Sequence, residues 1–252
     1  MLNAKISGIA SYLPDYVLTN DELSRMVDTN DEWITTRVGI KERRILKKEV
    51  GSSYMGIQAV KKLLEETGTN PDDVDLLICA TSNPDYRFPS TASVIAHGCG
   101  LEKKCYAYDI QAACAGFIVA SFDANAYIKS GLYKKVIVVC AEKMSSMVNY
   151  EDRATCPLFG DGAAAVLMEP TEEPVGFVDG VFHVDGSGLE HLVYKAGGSA
   201  HPTTHETVDA KENFLYQEGR AVYKSAVMDM FNSSKEVMER NNLKIEDVKW
   251  FV

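Results

Sequence analysis

Apolar positions along this chain come in two rhythms. Short unbroken runs, Leu76–Thr81 (LLICAT) and Val136–Cys140 (VIVVC), predict strands buried on both faces, because a half-exposed strand would alternate. Ala4–Ser11, Tyr106–Ile110, Ala163–Met168 and Val175–Val184 predict further strands. Elsewhere apolar residues recur at helical spacing. Met55, Ala59, Val60, Leu63 and Leu64 predict a helix over Ser52–Thr67, with Gly68 in the favoured closing position. Thr91–His97 and Ala115–Ser130 predict two more, the second ended by Gly131. Thr19-Asn20-Asp21-Glu22 has the capping residue and early acids of a helix start, and Asn70-Pro71-Asp72-Asp73 reads as a turn. Tyr223, Val227, Met230, Phe231, Val237 and Met238 form the inward stripe of a long amphipathic helix over Arg220–Asn241. Trp250–Val252 begins one more strand, and Asp185–Glu218 is rich in loop.

Strands that alternate with helices imply right-handed crossovers and an α/β fold with a mainly parallel or mixed sheet. The length supports one large domain or two small ones with a sizeable core. Composition is that of an ordinary globular protein, which excludes disordered and fibrous classes. No apolar run is long enough to span a bilayer, and the first fourteen residues lack a signal peptide's apolar core, so the expected location is the cytoplasm. A formal net charge of -10 argues against a nucleic-acid partner while leaving room for a local basic patch.

The six cysteines are scattered with no C-x-x-C pair, so neither a zinc site nor a redox motif is expected. His201 and His205 are four apart, but Pro202 argues for a loop rather than a metal-binding helix. Gly160-Asp161-Gly162 and Gly186-Ser187-Gly188 lack the lysine and spacing of a phosphate loop. Cys114 is different. It lies in Gln111-Ala112-Ala113-Cys114-Ala115-Gly116-Phe117, a run of small residues between an expected strand and helix. A sharp turn there would set the sulfur at a helix N-terminus, where free N–H groups and the macrodipole favour a thiolate and a developing oxyanion. The helix after it is apolar on nearly every face, which predicts that it is sandwiched between layers and that Cys114 stands at the floor of a buried site.

Those residues resemble the active-site signature of the β-ketoacyl-[acyl-carrier-protein] synthase III family. Other segments align with the family in order: Ser11-Tyr12-Leu13-Pro14, Asp28–Ile34 with Arg37, Gly39-Ile40 and Glu42-Arg43, Phe88-Pro89-Ser90, Asp152-Arg153, Phe159–Ala163 and Gly219–Tyr223. The resemblance implies the thiolase-like five-layered α-β-α-β-α fold. It implies an N-terminal half over residues 1–170, carrying the nucleophile, and the beginning of a second half over 171–252. It also implies a decarboxylating Claisen condensation of a short acyl-CoA with malonyl-acyl carrier protein through an acyl-Cys114 intermediate. No metal or redox cofactor is implied.

By matching motif, Trp33 and Arg153 resemble the residues flanking the CoA adenine, and Thr29 and Arg37 its adenine and phosphate contacts. Phe88 resembles the residue that reaches into a partner subunit's acyl pocket, implying a homodimer. Phe159 and Gly219 resemble walls of the pantetheine tunnel, and Lys224 a contact for the carrier protein. Outside the resemblance, Trp33 and Phe88 read as packing, the arginines as ion pairs and Lys224 as a solvated helix face. The family's catalytic histidine, in a Pro-His-Gln-Ala-Asn motif, and its later asparagine do not occur here, and Trp250-Phe251-Val252 resembles the strand just before that histidine. The expectation is therefore an incomplete second half and a chain that cannot complete the condensation alone. Two alternatives stand beside this reading: a related thiolase-fold acyltransferase or condensing enzyme of secondary metabolism, and a non-catalytic homologue that binds the carrier.

Overall fold

The computed structural model describes residues 3–252, which divide into two compact units between Phe177 and Val178. In the first unit the elements run β1 (Asn3–Tyr12), β2 (Tyr16–Thr19), α1 (Asn20–Leu23), α2 (Asp31–Val38), β3 (Glu42–Ile45), α3 (Ser52–Thr67) and β4 (Leu76–Ala80). They continue with α4 (Thr91–Gly98), β5 (Tyr106–Ile110), α5 (Gly116–Lys129), β6 (Val136–Lys143) and β7 (Asp161–Thr171). Five strands form one mixed sheet in the order β1-β7-β6-β4-β5. β4 pairs in parallel with both β5 and β6, whereas β7 pairs antiparallel with β6 and β1.

The unbroken apolar runs have the cause expected of them. On one face of the sheet, Leu77, Cys79, Ile137, Val139 and Leu167 pack against Met55, Ala59, Val60 and Leu63 of α3 and Ile95 of α4. On the other, Leu76, Ile78, Val136, Val138, Val166 and Met168 pack against Ala120, Ala124 and Ile128 of α5. The period-2 geometry of a strand sends successive residues to opposite faces, so both sets must be apolar. Gly68 closes α3 in the left-handed conformation at φ 64°, the value that favours glycine there. A third cluster lies under the β2–β3 hairpin, where Leu18, Leu23, Ile34, Ile45, Val148 and Cys156 gather with Trp33, Tyr150 and Phe159.

Two polar side chains hold this hairpin region, Asp161 by joining it to β7 of the main sheet and Arg43 by cross-linking its own segments. Asp161 accepts from Leu46 N at 2.7 Å, Ser145 N at 2.8 Å and Ser145 Oγ at 2.7 Å. Arg43 is buried and donates to Leu18 O at 3.0 Å, Asn20 Oδ1 at 2.6 Å and Pro157 O at 3.3 Å. Hydrogen bonding on this scale is what allows a charge to stay buried.

In the second unit the elements are β8 (Leu192–Tyr194), α6 (His205–Asp209), β9 (Leu215–Gln217) and α7 (Gly219–Arg240), with β8 and β9 paired antiparallel. Three expectations fail here or at its border. Val175–Val184 is not a strand: no strand pairs with it among the described residues, and Val178 and Val184 are 82% and 96% exposed. A run rich in valine and phenylalanine does not make a strand without a partner edge to supply the ladder. Trp250–Val252 is likewise irregular and exposed. The helix at Arg220–Asn241 forms as α7, but no residue in it is buried: of its expected inward stripe Val237 and Met238 are half-buried, and Tyr223, Val227, Met230 and Phe231 are exposed.

A fourth correction concerns α5. It is covered on one side only: Gly116, Ala120, Ser121, Ala124, Asn125 and Ile128 are buried while Phe117 and Ile118 are exposed. The first unit is thus three layers, α3 and α4, the sheet, then α5.

Leu77 is fully buried between β4 and the α3 layer. Leu77→Ala is expected to lower unfolding stability by about 2–5 kcal/mol, read as a lower urea midpoint with an unchanged slope.

Candidate active site

The Cys114 turn is built from backbone strain and small side chains. β5 ends at Ile110, whose carbonyl accepts from Thr81 N at 3.2 Å. Ala113 then adopts φ 44°, a left-handed conformation that costs a non-glycine residue about 1–2 kcal/mol. A single 3-10 turn over Ala113–Ala115 follows, closed by Ala115 N donating to Ala112 O at 3.0 Å, and α5 begins at Gly116. Gly116 packs against the end of β4, where a β-carbon would come within 3.0 Å of the Ala80 methyl. Strand, strained residue and helix start together resemble the nucleophile elbow of α/β-hydrolases.

The start of α5 differs from that of its neighbours. α2 is capped by Asn30, which accepts from Trp33 N at 2.7 Å. α4 is capped by Ser90 and by Asp109, whose two oxygens accept from Thr91 N at 2.7 Å and Ala92 N at 2.6 Å. α3 has Asp85, which accepts from Ser53 N at 2.9 Å. α5 has no capping side chain and no acid in its first turn. The partial positive charge at its N-terminus is therefore not neutralised by a carboxylate of its own helix.

Cys114 is exposed, which corrects the expectation of a buried floor. The correction follows from α5, whose outer face is open. The other five thiols are held in the neutral form. Burial pushes Cys99, Cys105, Cys140 and Cys156 each up to about 11, and Cys79 well above the ordinary value.

A second group of residues lies on the hairpin region. Trp33 sits on α2 with two guanidinium groups against its ring, Arg37 at 5.1 Å and Arg153 at 5.4 Å from the centroid. Arg37 is one helical turn after Trp33, which gives that contact directly. Arg153 comes from a loop shaped by side chain-to-backbone bonds, with Asn149 accepting from Glu151 N and Asp152 from Ala154 N, both at 2.9 Å. Its guanidinium is held by the Asp28 carbonyl at 3.2 Å and carboxylate at 3.5 Å. Next in sequence to Asp28, the Thr29 hydroxyl oxygen is buried without a hydrogen-bond partner. Phe159 packs into the same cluster as Trp33. Four polar or aromatic residues expected to serve one ligand, Thr29, Trp33, Arg37 and Arg153, thus share one corner. It can stack a planar ring and offer positive charge beside it.

The remaining expected residues lie on other elements. Phe88 is 86% exposed on the loop between β4 and α4. Gly219 and Lys224 are exposed on α7 in the second unit. His201 pairs with Glu212 at 2.6 Å and His205 opens α6. Among the described residues no three His, Cys, Asp or Glu side chains gather as a metal site, and no helix is long and apolar enough to cross a membrane. Sequence reasoning missed Asp109 and Glu142 as organisers of the loop that joins β4 to α4. An acid at the end of an apolar strand reads as a solvated edge, and nothing in the pattern marks these two as turned inward.

The thiol contrast gives a direct expectation. Iodoacetamide at pH 8 should alkylate Cys114 and spare the other five, because only a thiolate reacts and their raised values keep them protonated. Raising the pH toward 11 should bring in Cys105 and Cys140 as their thiols ionise, measured by peptide mass spectrometry.

The family model for 3-oxoacyl-[acyl-carrier-protein (ACP)] synthase III matches residues 108–186, a span that contains the Cys114 turn and Arg153. A Bacteroides thetaiotaomicron protein named β-ketoacyl-[acyl-carrier-protein] synthase III 2 is 55% identical over 252 residues, covering 100% of this chain and 75% of its own length. The crystal structure of 3-oxoacyl-[acyl-carrier-protein] synthase III from Aquifex aeolicus VF5 superposes with a TM-score of 0.86 at 42% identity, over 97% of this chain and 74% of that one. The priming β-ketosynthase of the R1128 polyketide biosynthetic pathway gives a TM-score of 0.84 at 30% identity, over 98% and 72%. The fold is thiolase-like, and the chain belongs to the β-ketoacyl-[acyl-carrier-protein] synthase III family.

Proposed function

We propose that this chain takes a short acyl group from acyl-CoA onto Cys114, the first half of the condensation that initiates fatty-acid synthesis. The single observation that carries the reading is the exposed Cys114 thiol on a strained turn before an uncapped helix. The thiolate attacks the acyl carbonyl, the carbonyl–sulfur bond to CoA breaks, and CoA leaves as its thiolate, which takes up a proton from water. The enzyme holds the acyl group as a thioester, which splits one difficult condensation into two easier steps. In the second step malonyl-acyl carrier protein would lose CO2, and the resulting carbanion equivalent would attack that thioester, breaking its bond to sulfur, to release Cys114 as the thiolate and give a 3-oxoacyl-acyl carrier protein.

Thr29, Trp33, Arg37 and Arg153 are assigned to the CoA nucleotide. An electron-rich indole beside two guanidinium groups suits an adenine ring and its phosphates. Phe159 and Gly219 are assigned to the pantetheine path and Lys224 to an acidic carrier. A homodimer is part of the same reading. Phe88 projects from the first unit with 86% of its surface exposed, and β5 is an edge strand with exposed Tyr106, a surface that proteins usually cover. We assign residues 1–170 to the nucleophile-bearing half of a thiolase-like protein and 171–252 to the start of its second half. The 252 residues contain no Pro-His-Gln-Ala-Asn segment, so we assign no residue among them to decarboxylation. The likeness to a polyketide priming ketosynthase supports a second reading, in which the acyl group primes a secondary-metabolite chain.

Incubation with acetyl-CoA is expected to add one acetyl group to the intact protein, mapped to Cys114 and abolished in Cys114→Ala. An unmodified wild-type mass would leave the carrier-binding homologue as the better reading. Trp33→Ala is expected to reduce the efficiency of this loading about tenfold through its dependence on CoA concentration. Adding malonyl-acyl carrier protein to the acetylated chain is expected to yield no 3-oxoacyl product. Competition between straight and branched acyl-CoA primers, read by the mass on Cys114, separates the two biosynthetic roles.

A further inference from the structure

Three acids converge on the loop that joins β4 to α4, at the carboxyl ends of the parallel strands from which Cys114 springs. Glu142, near the end of β6, accepts from Ser82 N at 2.5 Å and from Thr81 Oγ1 at 3.4 Å. Thr81 Oγ1 in turn accepts from Asn83 N at 3.1 Å. Asp85 accepts from Ser53 N and Ser53 Oγ, and Asp109 closes the far end of the loop at Thr91 and Ala92. None of these acids has a Lys or Arg partner within ion-pair distance among the described residues. Burial pushes the Glu142 carboxyl above its ordinary range, against the pull of the N–H groups of Ser82 and Asn83. A half-buried acid without a cation is costly and is kept where its hydrogen bonds fix something.

What it fixes can be followed bond by bond. Glu142 holds Thr81 and Ser82, Thr81 N donates to Ile110 O at 3.2 Å, and Ile110 is the last residue of β5 before the Gln111–Cys114 turn. Ala80, the residue before Thr81, is the surface on which Gly116 rests. The β4 end is therefore the platform for both sides of the nucleophile turn, and Glu142 is the side chain that anchors it from β6.

Resting on Cys114 as the nucleophile, we propose that Glu142 is a positioning residue, which acts through Thr81 and Ile110 to set where the Cys114 turn leaves the sheet. It touches neither the sulfur nor an acyl group in this scheme. A residue that merely stabilised its own loop would have no effect beyond Thr81–Asn83.

The test is peptide-resolved hydrogen exchange on wild type, Glu142→Ala, Glu142→Gln and Thr81→Val, with the iodoacetamide alkylation rate of Cys114 measured beside it. Glu142→Ala is expected to speed exchange about tenfold in both Thr81–Asn83 and Gln111–Phe117, the loss of order that one missing hydrogen bond produces. It is also expected to change the Cys114 alkylation rate at least severalfold. Glu142→Gln keeps an oxygen acceptor for Ser82 N and should restore both towards wild type. Thr81→Val, which alters no charge, should reproduce a weaker form of the Ala effect and serves if Glu142→Ala does not fold. Faster exchange confined to Thr81–Asn83, or a Cys114 turn unchanged in every variant, would overturn the proposal. Exchange reports the coupling whether or not acetyl-CoA loads Cys114, so failure of the positioning role and failure of the acyl-transfer reading are separate outcomes.

Discussion

A β-carbon at Gly116 would stand 3.0 Å from the Ala80 methyl, tighter than an ordinary contact, so a larger residue on either side would require the neighbour to give way. That contact lets the first turn of α5 sit directly on the end of β4, and the rest of the site is arranged around it. With the helix start pressed onto the strand, the connection from β5 has only five residues, Gln111–Ala115, in which to reverse and climb, and Ala113 takes the left-handed conformation as a result. The sulfur is carried on that reversal. The small residues of the segment are a packing requirement first. Their chemical consequence, an unobstructed thiol before free N–H groups, comes with the geometry.

The two groups of candidate residues are organised by different physics. The Cys114 turn is governed by the sheet, through strand ends buried on both faces and carboxylates that cap the neighbouring helices. The Trp33 corner is governed by side chains on a small hairpin subcore, fastened internally by Arg43 and to the sheet by Asp161. Both anchors lie inside segments that first stood out as family signatures. Their hydrogen bonds explain why such segments carry charged residues that face the interior.

Much of this was legible in the chain. Ser52–Thr67 and Tyr106–Ile110 fall where periodicity placed them, and the mixed sheet follows from unbroken apolar strands. Local patterning suffices when both the element and its partner surface are formed by nearby sequence. It failed where burial depends on a distant partner. Val175–Val184 has the β-branched and aromatic residues of a strand and no edge to join, and α7 has an amphipathic stripe with no buried residue. The clustering of Trp33, Arg37 and Arg153 was legible through resemblance, whereas periodicity alone would have given only the Trp33–Arg37 turn. The inward orientation of Glu142 and Asp109 was not legible at all, since it depends on loops folding over the strand ends.

The pairing of β1 with β7 brings Asn3 opposite Thr171. During synthesis the first strand must therefore leave the ribosome long before its partner exists, a wait of roughly 10–30 s at ordinary elongation rates. Through that interval its backbone donors have only water or another chain to bond. The sheet can start from its parallel centre, but its outer edge closes last. The N-terminal segment is thus the part of the nascent chain most open to capture by chaperones or by neighbouring copies.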